Sequence, residues 1–281
     1  MGKEDRLRAS MSKGVLIAKL EEAISREVGF SSDEPIISYV EYVLSIPVMR
    51  PRRIEKARDF SCPEENVKGL EILESAILHG SDLLPWMSKK YSKDKFYGND
   101  HLMHLYAVSH FQLGEDVGKT ERVRRTKNLL YALVADDVVY ELDVRAHGAW
   151  SIREWQEKLI SNWPEAFQQN ILPPQYKILS REPQTDEQLS QLTAAGISTF
   201  VQTSFGLSLP IGGGVTGAGT SSDAVRIAIK IMNALSAYEM DYVKCFGYKN
   251  LNAAMVEIDR DWICYHLPHV PGFSYRIPRN R

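Results

Sequence analysis

The sequence predicts an α+β protein, with a helical N-terminal region, a central antiparallel β-meander and a C-terminal α/β subdomain. Three observations predict it. Apolar residues recur at three- and four-residue spacing through the first hundred residues. From Leu102 to Val144 the pattern changes to alternation and a hairpin signature. After Pro173-Pro174 come two short strand-like runs, a glycine-rich loop and a long amphipathic segment. These shifts divide the chain into residues 1–95, 96–172 and 173–281, the middle part being the candidate catalytic core.

In the N-terminal part, Leu16, Ile17, Leu20, Ile24 and Val28 make one face of a helix over 12–28. Residues 36–47 are apolar and end at Pro47, which suits either a strand or a buried helix. MRPRRIEKAR reads as a basic linker. A helix then starts near Cys62-Pro63, because proline suits a first turn and Glu64-Glu65 favour the helix dipole. Its stripe is Leu70, Leu73, Ile77 and Leu78, and LLPWMSKKY follows as a short helix. LMHLYAVSHFQL alternates with the period of a half-buried strand. LLYALV and VVYELDV, joined through Ala135-Asp136-Asp137, make a hairpin rich in β-branched and aromatic residues. Ser151 and Glu154 are spaced as a capping box for a helix over 151–169, which Pro164 kinks or splits. Beyond the Pro-Pro boundary, strands flank Phe205-Gly206, the loop GGGVTGAGTSSD leads into a helix, and short strands and turns close the chain.

With 281 residues, 44% hydrophobic and 25% charged, the chain has the composition of a globular protein with a substantial core. A formal charge of −2 leaves nucleic-acid binding to a local patch. Cys62, Cys245 and Cys264 are odd in number and far apart, so they read as reduced thiols of a cytoplasmic protein. No apolar run approaches the ~20 residues of a membrane span. The basic N-terminal segment precedes an apolar run of only VLIA, so no secretory signal is expected.

The chemistry-bearing residues concentrate between Leu102 and His147. Cleaving RNA without metal requires a base for the 2′-hydroxyl, an acid for the leaving oxygen and cations for the phosphate. Histidine suits either proton role, and the arginine fork suits phosphate. His104 and His110, six apart, share a face of a regular strand, and His147 ends the hairpin. Arg122, Arg124, Arg125 and Lys127 lead into it; with Lys119, and against Glu121, they give this segment a charge of +4.

The run YALVADDVVYELDVRAH resembles the end of bacterial YoeB/RelE-type toxins, which are mRNA interferases. The resemblance rests on Leu129-Leu130-Tyr131, the Asp136-Asp137 turn, and Arg145 with His147, and spans about 25 residues. It implies a metal-independent endoribonuclease core, with no cofactor, of the kind found in toxin–antitoxin and phage-defence systems. His147 would be the general acid, and His104 or His110 the base or orienter. Arg122, Arg124, Arg125, Lys127 and Arg145 would hold phosphates, and Tyr131 would line the cleft. The partners implied are RNA, including ribosome-bound mRNA, and an antitoxin protein. Asn128 stands where the family carries an arginine, and the carboxylate base has no defined counterpart, Glu115 and Glu121 being the nearest.

Other readings stand beside this one. The same residues fit a plain sheet with a solvated basic loop. Asp100, His101, His104 and His110 can be read as metal ligands, but the odd spacing of His101 and His104 splits them on a strand. The loop Gly212–Asp223 can cradle phosphate or simply cap the next helix; it lacks a Walker lysine and the GxGxxG spacing. His266 and His269 sit in a proline-bounded turn without a third ligand, and the five tryptophans show no spacing for base stacking. The rival function is a non-enzymatic binding or assembly subunit contacting a protein or nucleic acid.

Overall fold

The computed structural model describes residues 14–29, 32–88, 91, 100–116, 118, 121–148, 152–176, 185–247, 251, 254–259, 262–266 and 273–277. The protein is α+β, as its sequence predicts. Its division differs from the linear one. One compact unit holds Met1–Leu44 and Asp223–Arg279; the other holds Ser45–Tyr91 and Tyr97–Ser222. The Pro173-Pro174 boundary therefore falls inside a unit. Local composition marks a bend there, whereas Leu172 N–H donates to Leu207 O and keeps the chain on the same body.

In the first unit, α1 (Val15–Val28) and α2 (Pro35–Ser45) are both helices, and α8 (Ser222–Phe246) is the long C-terminal one. The apolar run 36–47 thus resolves as helix. Helix α1 has no side-chain cap of its own. Glu239 of α8 supplies one, accepting from Val15 N–H at 3.0 Å and Leu16 N–H at 2.9 Å. Strands β7 (Met255–Asp259), β8 (Trp262–His266) and β9 (Phe273–Arg276) make an antiparallel sheet, and the Tyr265 hydroxyl donates to Leu16 O.

The second unit is built on a four-stranded sheet of order β1-β4-β3-β2, from β1 (Arg53–Lys56), β2 (Val108–Gln112), β3 (Asn128–Val134) and β4 (Val138–Ala146). The β2-β3-β4 meander is antiparallel as expected. Strand β1 is not: it pairs parallel with β4 and lies within the segment read as a basic linker. Its arginines explain why. Arg52 is buried, its Nε donating to Ala135 O and its Nη1 to Val48 O and Arg50 O. Arg50 pairs with Asp136, and Arg53 with Asp137. A basic strand can enter the sheet because the acidic hairpin turn receives it.

Helix α5 (Ile152–Asn162) packs Trp155, Leu159 and Ile160 against Leu129, Tyr131, Leu133, Tyr140 and Leu142. Helix α6 (Pro164–Phe167) begins at the proline that splits this region. Ser151, the expected cap, lies outside the described residues. The short helix α7 (Asp186–Ala194) and strands β5 (Val201–Thr203) and β6 (Gly206–Ser208) pack beside α5. Helix α3 (Val67–His79) packs against β1, where Glu74 meets Lys56. It approaches so closely that a Cβ on Gly69 would stand 1.9 Å from Leu113 O.

The expected strand Leu102–Leu113 is two elements. Helix α4 (His101–Tyr106) ends at Ala107, a non-glycine residue at φ 56°, and β2 follows. Asp100 caps α4 by accepting from Met103 N–H, and the glycine loop closes its other end. Gly212 N–H donates to Leu105 O at 2.7 Å and Gly214 N–H to His104 O at 2.9 Å. These bonds satisfy helix-end carbonyls that a strand would not present. The alternation of 102–113 was genuine but short, and tertiary hydrogen bonds decided the helix.

Gly69→Ala is expected to destabilise the protein by about 1–3 kcal/mol through backbone overpacking, read as a lower urea midpoint. A midpoint equal to that of the unmodified chain would refute the close approach of α3.

Candidate active site

The sheet places four of the nominated residues together at one end. Directly opposed residues share a face of the sheet. His110, Tyr131 and Asp143 form one such row across β2, β3 and β4, and Leu129 faces Arg145. His147 N–H donates to Lys127 O at 3.3 Å, which carries the pairing one step beyond Asn128 and Ala146. The imidazoles of His110 and His147 meet edge to face with centroids 6.0 Å apart. The Tyr131 ring lies 6.3 Å from His110 and stacks on Trp155 at 5.2 Å. His147 is exposed and His110 half-buried, so the pair opens to solvent.

Tyr131 is the floor of this site rather than a wall, being 2% exposed. Burial pushes its phenol up, opposed by the Gly148 amide and the Arg145 charge, so it stays neutral. Its hydroxyl donates to Ala146 O and ties β3 to the end of β4.

Arg145 is committed to the protein. Its Nε donates to Asp143 Oδ2 at 2.8 Å, its Nη2 pairs with Glu154 at 2.6 Å, and its guanidinium lies over Trp155. Its pKa is raised by the bond to Glu154, then, against some burial, by the bond to Asp143. Asp143 also accepts from Ser61 N–H and Val144 N–H, and Lys158 stands 3.5 Å away with Asp59 on its other side. This network, centred on buried Asp143 and Lys158, positions the end of β4, so Arg145 is a positioning residue and not a vacant phosphate ligand.

Arg122 is likewise a structural residue, its Nη1 donating to Leu84 O and Met87 O. Arg124, Arg125 and Lys127 are exposed, and among the described residues none makes an ion pair. The segment that carries them is nevertheless held. Val123 N–H donates to Pro85 O, Arg124 N–H to Asp116 O and Thr126 N–H to Gln112 Oε1. Three exposed cations are thereby carried on an ordered segment that runs into β3, where the Lys127 carbonyl accepts from His147 N–H.

His104 does not join them. It is buried in α4, on a helix rather than on the strand shared with His110. The break at Ala107 removes the common face that the six-residue spacing implied. Among the described residues, no group of three histidine, cysteine, aspartate or glutamate side chains could hold a metal ion. In the glycine loop the Gly212 and Gly214 amides are spent on α4 and Val215 N–H on Ser198 Oγ, so these three are not open to a phosphate.

Sequence reasoning missed the support for the site. Asp143 and Lys158 carry no motif, and Glu154, expected as part of a helix cap, instead pairs with Arg145, whose guanidinium lies over Trp155. The only local signal was two acids and two bases spaced along β4 and α5, which is common on solvated surfaces. Among the described residues, no helix is long and apolar enough to cross a membrane. No protein-family model, curated protein or solved structure matches the chain.

Two substitutions separate surface from support. His147→Ala is expected to leave stability within about 0.5 kcal/mol, because the side chain is exposed. Arg145→Gln is expected to cost about 1–3 kcal/mol, because buried Asp143 then keeps one cation and loses its strongest donor. Urea unfolding of both variants checks the contrast.

Proposed function

We propose that the protein is an endoribonuclease of the toxin or phage-defence kind, which cleaves RNA by metal-independent acid–base catalysis. The observation that carries this reading is the approach of His110 and His147 on one open sheet end, with exposed Arg124, Arg125 and Lys127 on the segment that enters β3. Two imidazoles are the side-chain pair suited to exchanging protons near neutral pH. In the reaction one imidazole takes the 2′-hydroxyl proton, the new oxyanion attacks the adjacent phosphorus, and the other imidazole protonates the departing 5′-oxygen. The bond formed is 2′-O–P and the bond broken is P–O5′, which leaves a cyclic phosphate and a free hydroxyl. His147, nominated by the RelE/YoeB resemblance, takes the acid role and His110 the base. The exposed cations hold the substrate backbone, and an antitoxin covering this face would restrain the activity. Arg122, Arg145, Tyr131 and His104 act through the fold and do not touch RNA.

The rival reading, a binding or assembly subunit, keeps the basic edge and dispenses with the imidazoles. End-labelled mRNA incubated with EDTA, with and without ribosomes, distinguishes them. The intact chain is expected to cut, with products ending in cyclic phosphate. His147→Ala and His110→Ala are expected to lose about 10²–10⁴-fold in rate. Arg124→Ala/Arg125→Ala is expected to weaken RNA binding and flatten its salt dependence. Folded protein that binds RNA and never cuts it would establish the binding subunit instead.

A further inference from the structure

The face of the sheet opposite the histidines carries a second ionisable cluster, which RNA cleavage does not use. Glu141 of β4 has no exposed surface, and among the described residues neither of its carboxylate oxygens receives a hydrogen bond. It stands beside Lys56 of β1 in the parallel register. Lys56 Nζ lies 2.7 Å from Glu74 Oε1 on α3 and 3.9 Å from Glu141 Oε2. Three elements thus converge, and each contributes one charged group. The connecting segment adds the Cys62 thiol and, farther out, Glu65. From the remaining strands the same row presents only Ala132 and the Ser109 hydroxyl, which are uncharged.

Charge counting sets the state of this cluster. Two carboxylates and one ammonium leave a net negative charge, while one retained proton makes the group neutral. A proton shared by the carboxyls also supplies the donor that the Glu141 oxygens otherwise lack. Burying an uncompensated carboxylate is costly.

We propose that Lys56, Glu74 and Glu141 form a pH-operated latch, closed by one proton held between the two carboxyls, that fixes β1 and α3 onto β4. Loss of the proton puts two carboxylates against a single ammonium and lets the β1–α3 segment swing free. The rest of the sheet stays closed, because β2, β3 and β4 pair through their own ladders and pack on α5.

Burial, then the like charge of Glu74, pushes the Glu141 carboxyl up to about 8, against the pull of Lys56. A folded-state value raised above the unfolded one means that the folded form holds a proton the unfolded form has released. The stabilisation is complete at acid pH and is lost as pH rises through about 8.

Hydrogen exchange of the intact chain tests the latch, with labelling times scaled to the intrinsic amide rate. Between about pH 6 and about pH 8, protection of residues 53–79 is expected to fall by up to about tenfold per pH unit, then level off. Residues 129–133 are expected to keep theirs. Glu141→Gln, neutral at every pH and nearly the same shape, is expected to remove the pH dependence, and Glu74→Gln to flatten it. Protection of 53–79 that does not change with pH would overturn the proposal. So would a loss shared equally by 129–133, or a dependence unchanged in Glu141→Gln.

Discussion

One extra residue in β4 governs the second unit. Tyr131 pairs with Asp143 and Ala132 with Glu141, so Leu142 has no partner across the strand. This β-bulge breaks the alternation of the strand. Without it, Glu141 and Asp143, two residues apart, would point to the same side. With it, Asp143 joins Arg145 and Lys158 over α5, while Glu141 joins Lys56 and Glu74 beneath α3. A strand buried on both faces thereby carries two carboxylates, each facing separate cations.

The two carboxylates then behave differently for a physical reason. Asp143 accepts from two backbone amides and from Arg145, with Lys158 beside it. Glu141 has one lysine shared with another carboxylate, and burial outweighs that attraction. The same residue class on the same strand thus supplies a rigid scaffold on one face and a titratable group on the other. The scaffold face is the one that holds His110 and His147 in contact.

A comparable economy closes the ends of the elements. The Asp136–Asp137 turn is acidic, and three arginines before and within β1 meet it and its neighbour Ala135. The carbonyl end of α4 is met by a glycine loop whose Gly212 could not carry a Cβ, because His104 O would lie 2.5 Å from it. Both contacts join segments far apart in the chain, so each constrains the chain path as well as satisfying polar groups.

The sequence by itself determined the hairpin, helices α1, α3, α5 and α8, and the residues of the candidate site that depend on the hairpin. Tyr131, Lys127, Arg145 and His147 could be placed from the period-two pattern and the turn, because strand alternation is local and strong. His110 lies on a strand as expected, but its expected strand partner His104 belongs to a helix. Only the tertiary structure decided the parallel strand β1, the bulge at Leu142, the duties of Arg122 and Arg145, and the Lys56–Glu74–Glu141 cluster. The reason is common to all four. Each depends on which distant group a charge or backbone carbonyl meets, and the spacing of residues along a chain carries no record of that. Periodicity reports the face on which a side chain lies, whereas its partner across the fold determines what that side chain does.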